Sequence, residues 1–320
     1  MKNVAVLITH QALIAAIGNT RYMFTMVNRF LKQTGKDELF NVSLVGLSKT
    51  VELDQGLYTI KADAKLDEVK QIDLIIIPPM SGDMEKGISL NRAYIPWILQ
   101  QYQRGAEVAS LCVGAFILAE TGLLKGRECS THWQTANEFK KRYPDVQLVE
   151  DKIVTDYKGL YTSGGANSYW NLLVYLVEKF TDREIAISTS KYFEVELGRD
   201  NQYEFMTFEG CRLHQDEAIM EVQHYIEMHY QDRITIDQLA RMTHLGRRTF
   251  QRRFKNATHN TVREYIRKVK AEAAKKLLES QRFTVNEVMF EVGYNDPKAF
   301  RDVFKKVIGM TPLEYRNKFS

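Results

Sequence analysis

An internal repeat near the C-terminus limits the folds available to this 320-residue chain. Four positions recur at an offset of 50 residues, pairing Phe250, Phe254, Thr261 and Tyr265 with Phe300, Phe304, Thr311 and Tyr315. Five upstream positions recur at an offset of 49, pairing Thr235, Ile236, Leu239, Ala240 and Leu245 with Thr284, Val285, Val288, Met289 and Tyr294. The offset changes by one residue within a turn, where an insertion is tolerated. Such a repeat is typical of two copies of one structural unit.

Each copy has the pattern of a short helix, a turn and a second helix. In the first copy, the apolar residues of 236–240 have the spacing of a buried helical face, and residues 243–246 interrupt it. Phe250 and Phe254 share one face of the next helix, opposite its basic residues. The pattern predicts an all-α domain at 212–320, with helix-turn-helix motifs at about 235–257 and 284–308 joined by a helix at 262–279.

Positive charge is concentrated in the first copy. Between Arg241 and Lys276 there are twelve Lys and Arg residues but two acidic residues. Residues 212–320 carry 21 Lys and Arg against 14 Asp and Glu, whereas residues 1–211 carry 23 against 26. This asymmetry predicts that double-stranded DNA binds to the C-terminal part of the chain and not to the N-terminal part.

Arginine and glutamine side chains read guanine and adenine edges in the major groove. We therefore expect DNA contacts from the exposed faces of the two second helices, namely Arg247, Arg248, Gln251, Arg252, Lys255, Lys298, Arg301 and Lys305. The second copy has Asp302 where the first has Arg252, so it should contribute less to affinity and to sequence choice. Lys275 and Lys276 are expected to act on DNA binding, if at all, through phosphate.

The C-terminal part of the sequence resembles the AraC/XylS family of transcription regulators. The second copy carries the family's signature as Val292-Gly293-Tyr294, Phe300-x3-Phe304-Lys305 and Gly309-x-Thr311-Pro312-x2-Tyr315-Arg316. The first copy departs from it, with His244 at the usual turn glycine and residues 258–262 in place of Gly-x-Ser-Pro. The resemblance covers about the last third of the chain and implies sequence-specific regulation of transcription.

Strand and helix patterns alternate through residues 1 to about 190. Strands are predicted at 4–8, 42–47, 74–77 and 107–111, and helices at 95–102, 113–124 and 167–180. The continuous apolar runs are typical of buried parallel strands. The alternation predicts an α/β domain of flavodoxin-like type at 1–193, with a mostly parallel sheet and helices on both faces. Residues 194–211 are predicted to be a linker.

One strand-to-helix junction carries a chemical signal. Cys112, between Leu111 and Val113, has the pattern of a nucleophile elbow, where helix amides favour a thiolate. We therefore expect Cys112 to react with thiol reagents before Cys129 and Cys211 do. His132 follows twenty residues on and is a possible base.

The junction resembles the glutamine amidotransferase-like superfamily that includes PfpI-type proteases, and more narrowly the GlxA-type branch of AraC regulators. The matching residues are Gly114-Ala115-Phe116, Leu118-Ala119, Gly122-Leu123-Leu124, Gly126-Arg127, Thr131-His132-Trp133 and Thr162-Ser163-Gly164-Gly165. Active relatives place an acidic residue near the end of the first strand, and GlxA-type proteins have Asp shortly before the glycine that corresponds to Gly18. Here residues 14–18 contain no carboxylate. We expect no enzyme, and a ligand pocket that includes Cys112, Val113, His132 and Gly18.

The sequence predicts a cytoplasmic, homodimeric regulator that senses a small molecule and contacts RNA polymerase. The resemblance implies amines, betaines or amino acids as effector classes. Two alternatives stay open: a cysteine-dependent hydrolase or glyoxalase-like enzyme fused to a DNA-binding domain, and a ligand-free dimerisation platform. No cofactor or metal is expected, because His10 and His132 lack a third ligand at metal spacing. No apolar run has the length of a membrane span.

Overall fold

Strand β1 (Lys2–Leu7) has buried apolar residues on both of its faces. Val4 and Val6 pack into one apolar core, and Ala5 and Leu7 pack into another. Alternate residues of a strand point to opposite faces of its sheet. The sheet that contains β1 is therefore covered on both sides.

That sheet has seven strands in the order β10-β11-β7-β6-β1-β2-β5. Its other members are β2 (Phe40–Gly46), β5 (Ala64–Lys65), β6 (Leu74–Ile77), β7 (Glu107–Ser110), β10 (Val154–Tyr157) and β11 (Leu160–Ser163). The β10–β11 pair is antiparallel, and the other neighbouring strands are parallel. Two smaller sheets pair β3 (Thr50–Leu53) with β4 (Tyr58–Lys61), and β8 (Glu128–Cys129) with β9 (Gln147–Leu148).

Helices cover both faces, as the alternating pattern predicted. The Val4 side holds α1 (Ile14–Gln33), α6 (Ser168–Phe180) and α7 (Arg183–Phe193). The Leu7 side holds α2 (Met84–Leu90), α3 (Tyr94–Gln103), α4 (Ala115–Glu120) and α5 (Ala136–Arg142). The helix predicted at 113–124 is wrong in extent, because α4 ends at Glu120 and Gly122 adopts φ +76°. A left-handed residue cannot continue an α-helix.

The C-terminal region is entirely helical among its described residues. Its helices are α8 (Glu217–Met228), α9 (Ile236–Met242), α10 (Arg247–Thr258), α11 (Val262–Glu279), α12 (Val285–Glu291), α13 (Pro297–Ile308) and α14 (Pro312–Phe319). Phe250, Phe254 and Tyr265 lie in one core. Their repeat partners Phe300, Phe304 and Tyr315 lie in a second core. Helix α11 contributes residues to both cores, so it joins the two copies of the repeat.

The structure describes residues 1–210, 212 and 214–320 as a computed structural model, in two units, Met1–Gln202 and Tyr203–Ser320. The segment expected as a linker, 194–211, is divided between them. Gln202 is buried, and its amide donates to the carbonyls of Thr131 and Glu150 within the first unit. Cys211 lies outside the described residues. Among the described residues, no helix combines the length and apolar character needed to cross a membrane.

Candidate functional site

The aromatic core fixes the rotation of α10. Phe250 and Phe254 are fully buried, with ring centroids 5.8 Å apart. Phe254 also packs edge-on against Tyr265 of α11, at 5.4 Å between centroids. Because α10 carries five basic residues and no acidic one, burying this face turns its positive charge outward.

The exposed side chains of α10 fall into two groups. Arg247 donates two bonds of 3.1 Å to the carboxylate of Asp237 in α9. Arg253 donates to both carboxylate oxygens of Asp216, which caps α8. Four predicted DNA-contacting residues are exposed, and their side chains form no hydrogen bond or ion pair with any described residue: Arg248, Gln251, Arg252 and Lys255.

Helix α13 repeats this arrangement with less charge. Phe300 and Phe304 are buried beneath it, with ring centroids 5.9 Å apart. Lys298, Arg301 and Lys305 are exposed, and their side chains have no hydrogen-bond or ion-pair partner among the described residues. The helix has four basic residues and the acidic Asp302. Its outward face is therefore less positive than that of α10.

The two turns have the same backbone conformation in spite of their different residues. His244 has φ +53° where the second copy has Gly293 at φ +73°. His259, which ends α10, has φ +55° where Gly309 ends α13 at φ +85°. The first copy thus keeps the fold of the repeat with two histidines in the left-handed region, which favours glycine.

The Lys275 side chain is not available for a phosphate contact. Its side chain is buried, and its Nζ donates to the Met206 carbonyl at 2.6 Å and to Glu272 at 3.3 Å. Lys276, one residue on, is exposed. A step of 100° per residue around a helix separates the two side chains.

The Cys112 junction is a tight turn between β7 and α4. Cys112 has φ +53°; its N–H donates to Ser163 Oγ at 2.9 Å, and its carbonyl accepts from Thr131 Oγ1 at 3.1 Å. A side chain at Gly114 would place its Cβ 2.7 Å from the Ile77 carbonyl oxygen. The glycine therefore allows the turn to approach the end of β6.

The expectation that Cys112 is partly thiolate is wrong. The residue is 5% exposed, and burial raises the pKa of its thiol to about 11. Hydrogen bonds from the backbone amides of Ala166 and Val113 lower the pKa of the thiol, but they do not offset the loss of solvation. A pKa of about 11 favours the protonated thiol at neutral pH.

His132 does not form a nucleophile–base pair with Cys112. Its Nδ1 accepts from the Gln134 N–H at 3.2 Å, and burial lowers the pKa of the imidazole. Among the described residues, neither ring nitrogen is hydrogen-bonded to the Cys112 thiol. The ring packs against Gly165, where an added Cβ would lie 2.6 Å from His132 Cδ2.

The other two pocket candidates lie in different settings. Val113 is 6% exposed and packs into the same core as Cys112. Gly18 lies on the exposed side of α1, where an added Cβ would have no neighbour within 4 Å. Gly18 therefore does not line an enclosed cavity.

The described residues include no cluster of three or more His, Cys, Asp or Glu side chains that could hold a metal ion. Cys112 and Cys129 are free thiols. The first unit also has a groove of 480 Å³ that the sequence did not predict. It is lined by Leu66, Asp67, Val69, Lys70, Trp97, Gln100 and Arg104. These residues come from two separate segments, and no sequence motif brings them together.

Comparison with known proteins identifies both units. Residues 12–179, more than half of the chain, match the DJ-1/PfpI family. The chain belongs to the DJ-1/PfpI family. Residues 239–318 match the helix-turn-helix domain family. The DJ-1/PfpI domain is thus followed by the predicted DNA-binding domain.

Relatives of this DJ-1/PfpI chain include HTH-type transcriptional regulators. GbdR of Pseudomonas aeruginosa is 23% identical over 290 residues, covering 90% of this chain and 78% of GbdR. GlxA of Rhizobium meliloti is 21% identical over 215 residues, covering 67% of this chain and 66% of GlxA. An AraC family transcriptional regulator from Pseudomonas putida shares the fold, with a TM-score of 0.50 and 17% identity over 60% of this chain and 100% of that one. The helix-turn-helix match and the regulators among the relatives confirm the expectation of a DNA-binding transcriptional regulator.

Proposed function

We propose that the chain regulates transcription by placing α10 and α13 in successive major grooves. The observation that carries this proposal is the outward face of α10, whose Arg248, Gln251, Arg252 and Lys255 have no described intramolecular partner. Unpaired arginine side chains are free to donate to base edges and phosphates. The buried opposite face holds these side chains on a rigid helix.

The residues of the DNA interface have different proposed roles. Arg248, Gln251 and Arg252 read bases, and Lys255 supports them through phosphate. Lys298, Arg301 and Lys305 form the weaker second contact, because Asp302 reduces the charge of α13. Arg247 stabilises the contact between α9 and α10, since its guanidinium already pairs with Asp237.

The DJ-1/PfpI domain is proposed to bind a small effector, amine or amino-acid-like, and to form a homodimer in the cytoplasm. Contact with RNA polymerase completes the proposed regulatory complex. The effector shifts a population between DNA-bound and unbound arrangements only if its affinity differs between them. Nothing in this scheme requires turnover of the effector.

We also propose that the Cys112 turn is not catalytic in this chain. A protonated, buried thiol without a hydrogen-bonded base is a poor nucleophile. Turnover by the purified chain that disappears in Cys112→Ala would support the hydrolase or glyoxalase-like alternative instead.

Selection of bound DNA from a random pool with the purified full chain tests the main proposal. We expect enriched sites with two specified blocks about one helical turn apart, the first more strictly defined. Arg248→Ala and Arg252→Ala should relax the first block. Failure to enrich any sequence would contradict sequence-specific regulation.

A further inference from the structure

We infer that the DJ-1/PfpI domain binds a small carboxylate in the groove between residues 66–70 and helix α3. The inference rests on the proposed effector-binding function, and it gives that effector a place and a chemical class. The groove has a volume of 480 Å³, within the range of small-molecule sites. It is lined by residues other than the four earlier pocket candidates, Cys112, Val113, His132 and Gly18.

Two cations flank the groove without an acidic partner. Lys70 and Arg104 are exposed, and neither forms an ion pair with a described residue. The Arg104 guanidinium contacts the Lys70 carbonyl at 3.5 Å, which leaves most of its N–H groups unused. Asp67 also lines the groove, but Lys65 pairs with it at 3.2 Å. The charge of the groove therefore favours an anion.

The wall beside these cations carries a hydrogen-bond donor that lacks a partner. Trp97 of α3 lines the groove and is 9% exposed. Its Nε1 is buried and makes no hydrogen bond within the described structure. Buried polar groups normally have partners, and an oxygen atom that approaches from the groove would supply one to the indole N–H.

The remaining lining residues favour a carboxylate with a hydrocarbon part. Leu66 and Val69 are half-buried, and with Trp97 they give the groove apolar walls. A planar carboxylate matches the fork of the Arg104 guanidinium and accepts two parallel hydrogen bonds. A ligand with an apolar body and one carboxylate thus uses both kinds of surface.

The test uses benzoate as the probe and benzamide, its neutral isostere, as the matched control. Calorimetric titration of the full chain without DNA should show saturable binding of benzoate, with benzamide roughly tenfold weaker or worse. Arg104→Gln and Lys70→Gln should each weaken benzoate binding by about tenfold. Arg92→Gln and Lys86→Gln, which change exposed cations outside the groove lining, should leave it unchanged.

A spectroscopic readout locates the probe. In a chain with Trp133→Phe and Trp170→Phe, Trp97 is the remaining tryptophan, and its emission should change as benzoate binds. Absence of saturable benzoate binding, or binding that both groove variants leave intact, overturns the inference. Inorganic phosphate that binds as tightly as benzoate also overturns the carboxylate assignment.

Failure of this site is distinguishable from failure of the proposed function. Affinity for selected DNA is measured separately in the same variants. If the chain binds DNA sequence-specifically but does not bind benzoate, the carboxylate site is refuted and the proposed regulatory function is not. Benzoate binding with the expected variant pattern but no sequence-specific DNA binding supports the groove and refutes the regulatory function.

Discussion

Lys270 of α11 donates from its Nζ to the backbone carbonyl of Val292 at 2.9 Å. The side chain is nearly buried, also approaches the Gly293 carbonyl at 3.4 Å, and lies 5.1 Å from the Tyr294 ring centroid. Val292 caps the C-terminus of α12, where unpaired carbonyl groups favour a cation. This contact fixes the long helix to the turn of the second helix-turn-helix motif.

Removal of the Lys270 ammonium group should therefore destabilise the C-terminal unit. Lys270→Met keeps the apolar stem but leaves the Val292 carbonyl without its donor, a loss of about 1–3 kcal/mol in the free energy of unfolding. Urea unfolding followed by circular dichroism measures this loss. The control Lys276→Met changes an exposed residue of the same helix and should stay within about 0.5 kcal/mol. Equal stabilities of the two variants would contradict the role of Lys270.

Arg248 and Arg252, whose side chains have no partner among the described residues, should differ in DNA binding from the ion-paired Arg253. Arg248→Ala and Arg252→Ala should each cost about 1–3 kcal/mol and relax preference at one site position. Arg253→Ala should leave base preference unchanged, because Arg253 is held by Asp216. Binding measurements against the selected site and its single-base variants distinguish these outcomes. If Arg248→Ala and Arg252→Ala weaken specific and nonspecific binding equally, they do not read bases.

The left-handed histidines of the first copy should cost stability. His244→Gly and His259→Gly should each raise the free energy of unfolding by about 0.5–1 kcal/mol, because glycine adopts positive φ without steric strain. In the second copy, Gly293→Ala should be strongly destabilising, since the new Cβ would lie 2.0 Å from the Gln231 carbonyl oxygen. Thermal unfolding of the three variants tests the expected stabilisation by the two histidine substitutions and the expected destabilisation by Gly293→Ala. If His244→Gly or His259→Gly is less stable than the parent chain, the claim that the replaced histidine is strained is contradicted.

The pKa of Cys112 sets its reactivity. A thiol with its pKa raised to about 11 is almost fully protonated at pH 8, so alkylation of the folded chain by iodoacetamide should be roughly a hundredfold slower than that of an unperturbed thiol of pKa about 8.5. The rate should keep rising as the pH approaches 11, where the thiolate forms. Peptide mapping of Cys112 by mass spectrometry measures this rate. Fast labelling at pH 7 would restore the original expectation of a thiolate.

Local periodicity predicted the framework of both units. The pairing of Phe250 and Tyr265 with Phe300 and Tyr315 located two cores, because helical spacing decides which residues are buried. Continuous apolar runs such as 74–77 similarly predicted the parallel strands. The burial of Lys275 was available from the same reasoning, since Ala271, Ala274 and Leu278 place it on the inner face of α11.

Features made by distant segments were not predictable in this way. The Cys112 turn is buried partly because β11 and the Gly165 loop reach it from about fifty residues further along the chain. The position of Cys112 at a helix N-terminus indicated a thiolate, whereas desolvation by burial raises the pKa of its thiol. The groove between residues 66–70 and α3 likewise depends on tertiary packing.

Footprinting of the full chain on a selected site tests the central claim most directly. Helix α11 has 18 residues and a length of about 27 Å at 1.5 Å per residue. A spacer of that size suits recognition helices one DNA turn apart, about 34 Å, on one face of the duplex. We expect each subunit to protect two successive major grooves, with the α10 groove protected at lower protein concentration. Protection of a single groove per subunit would contradict the account.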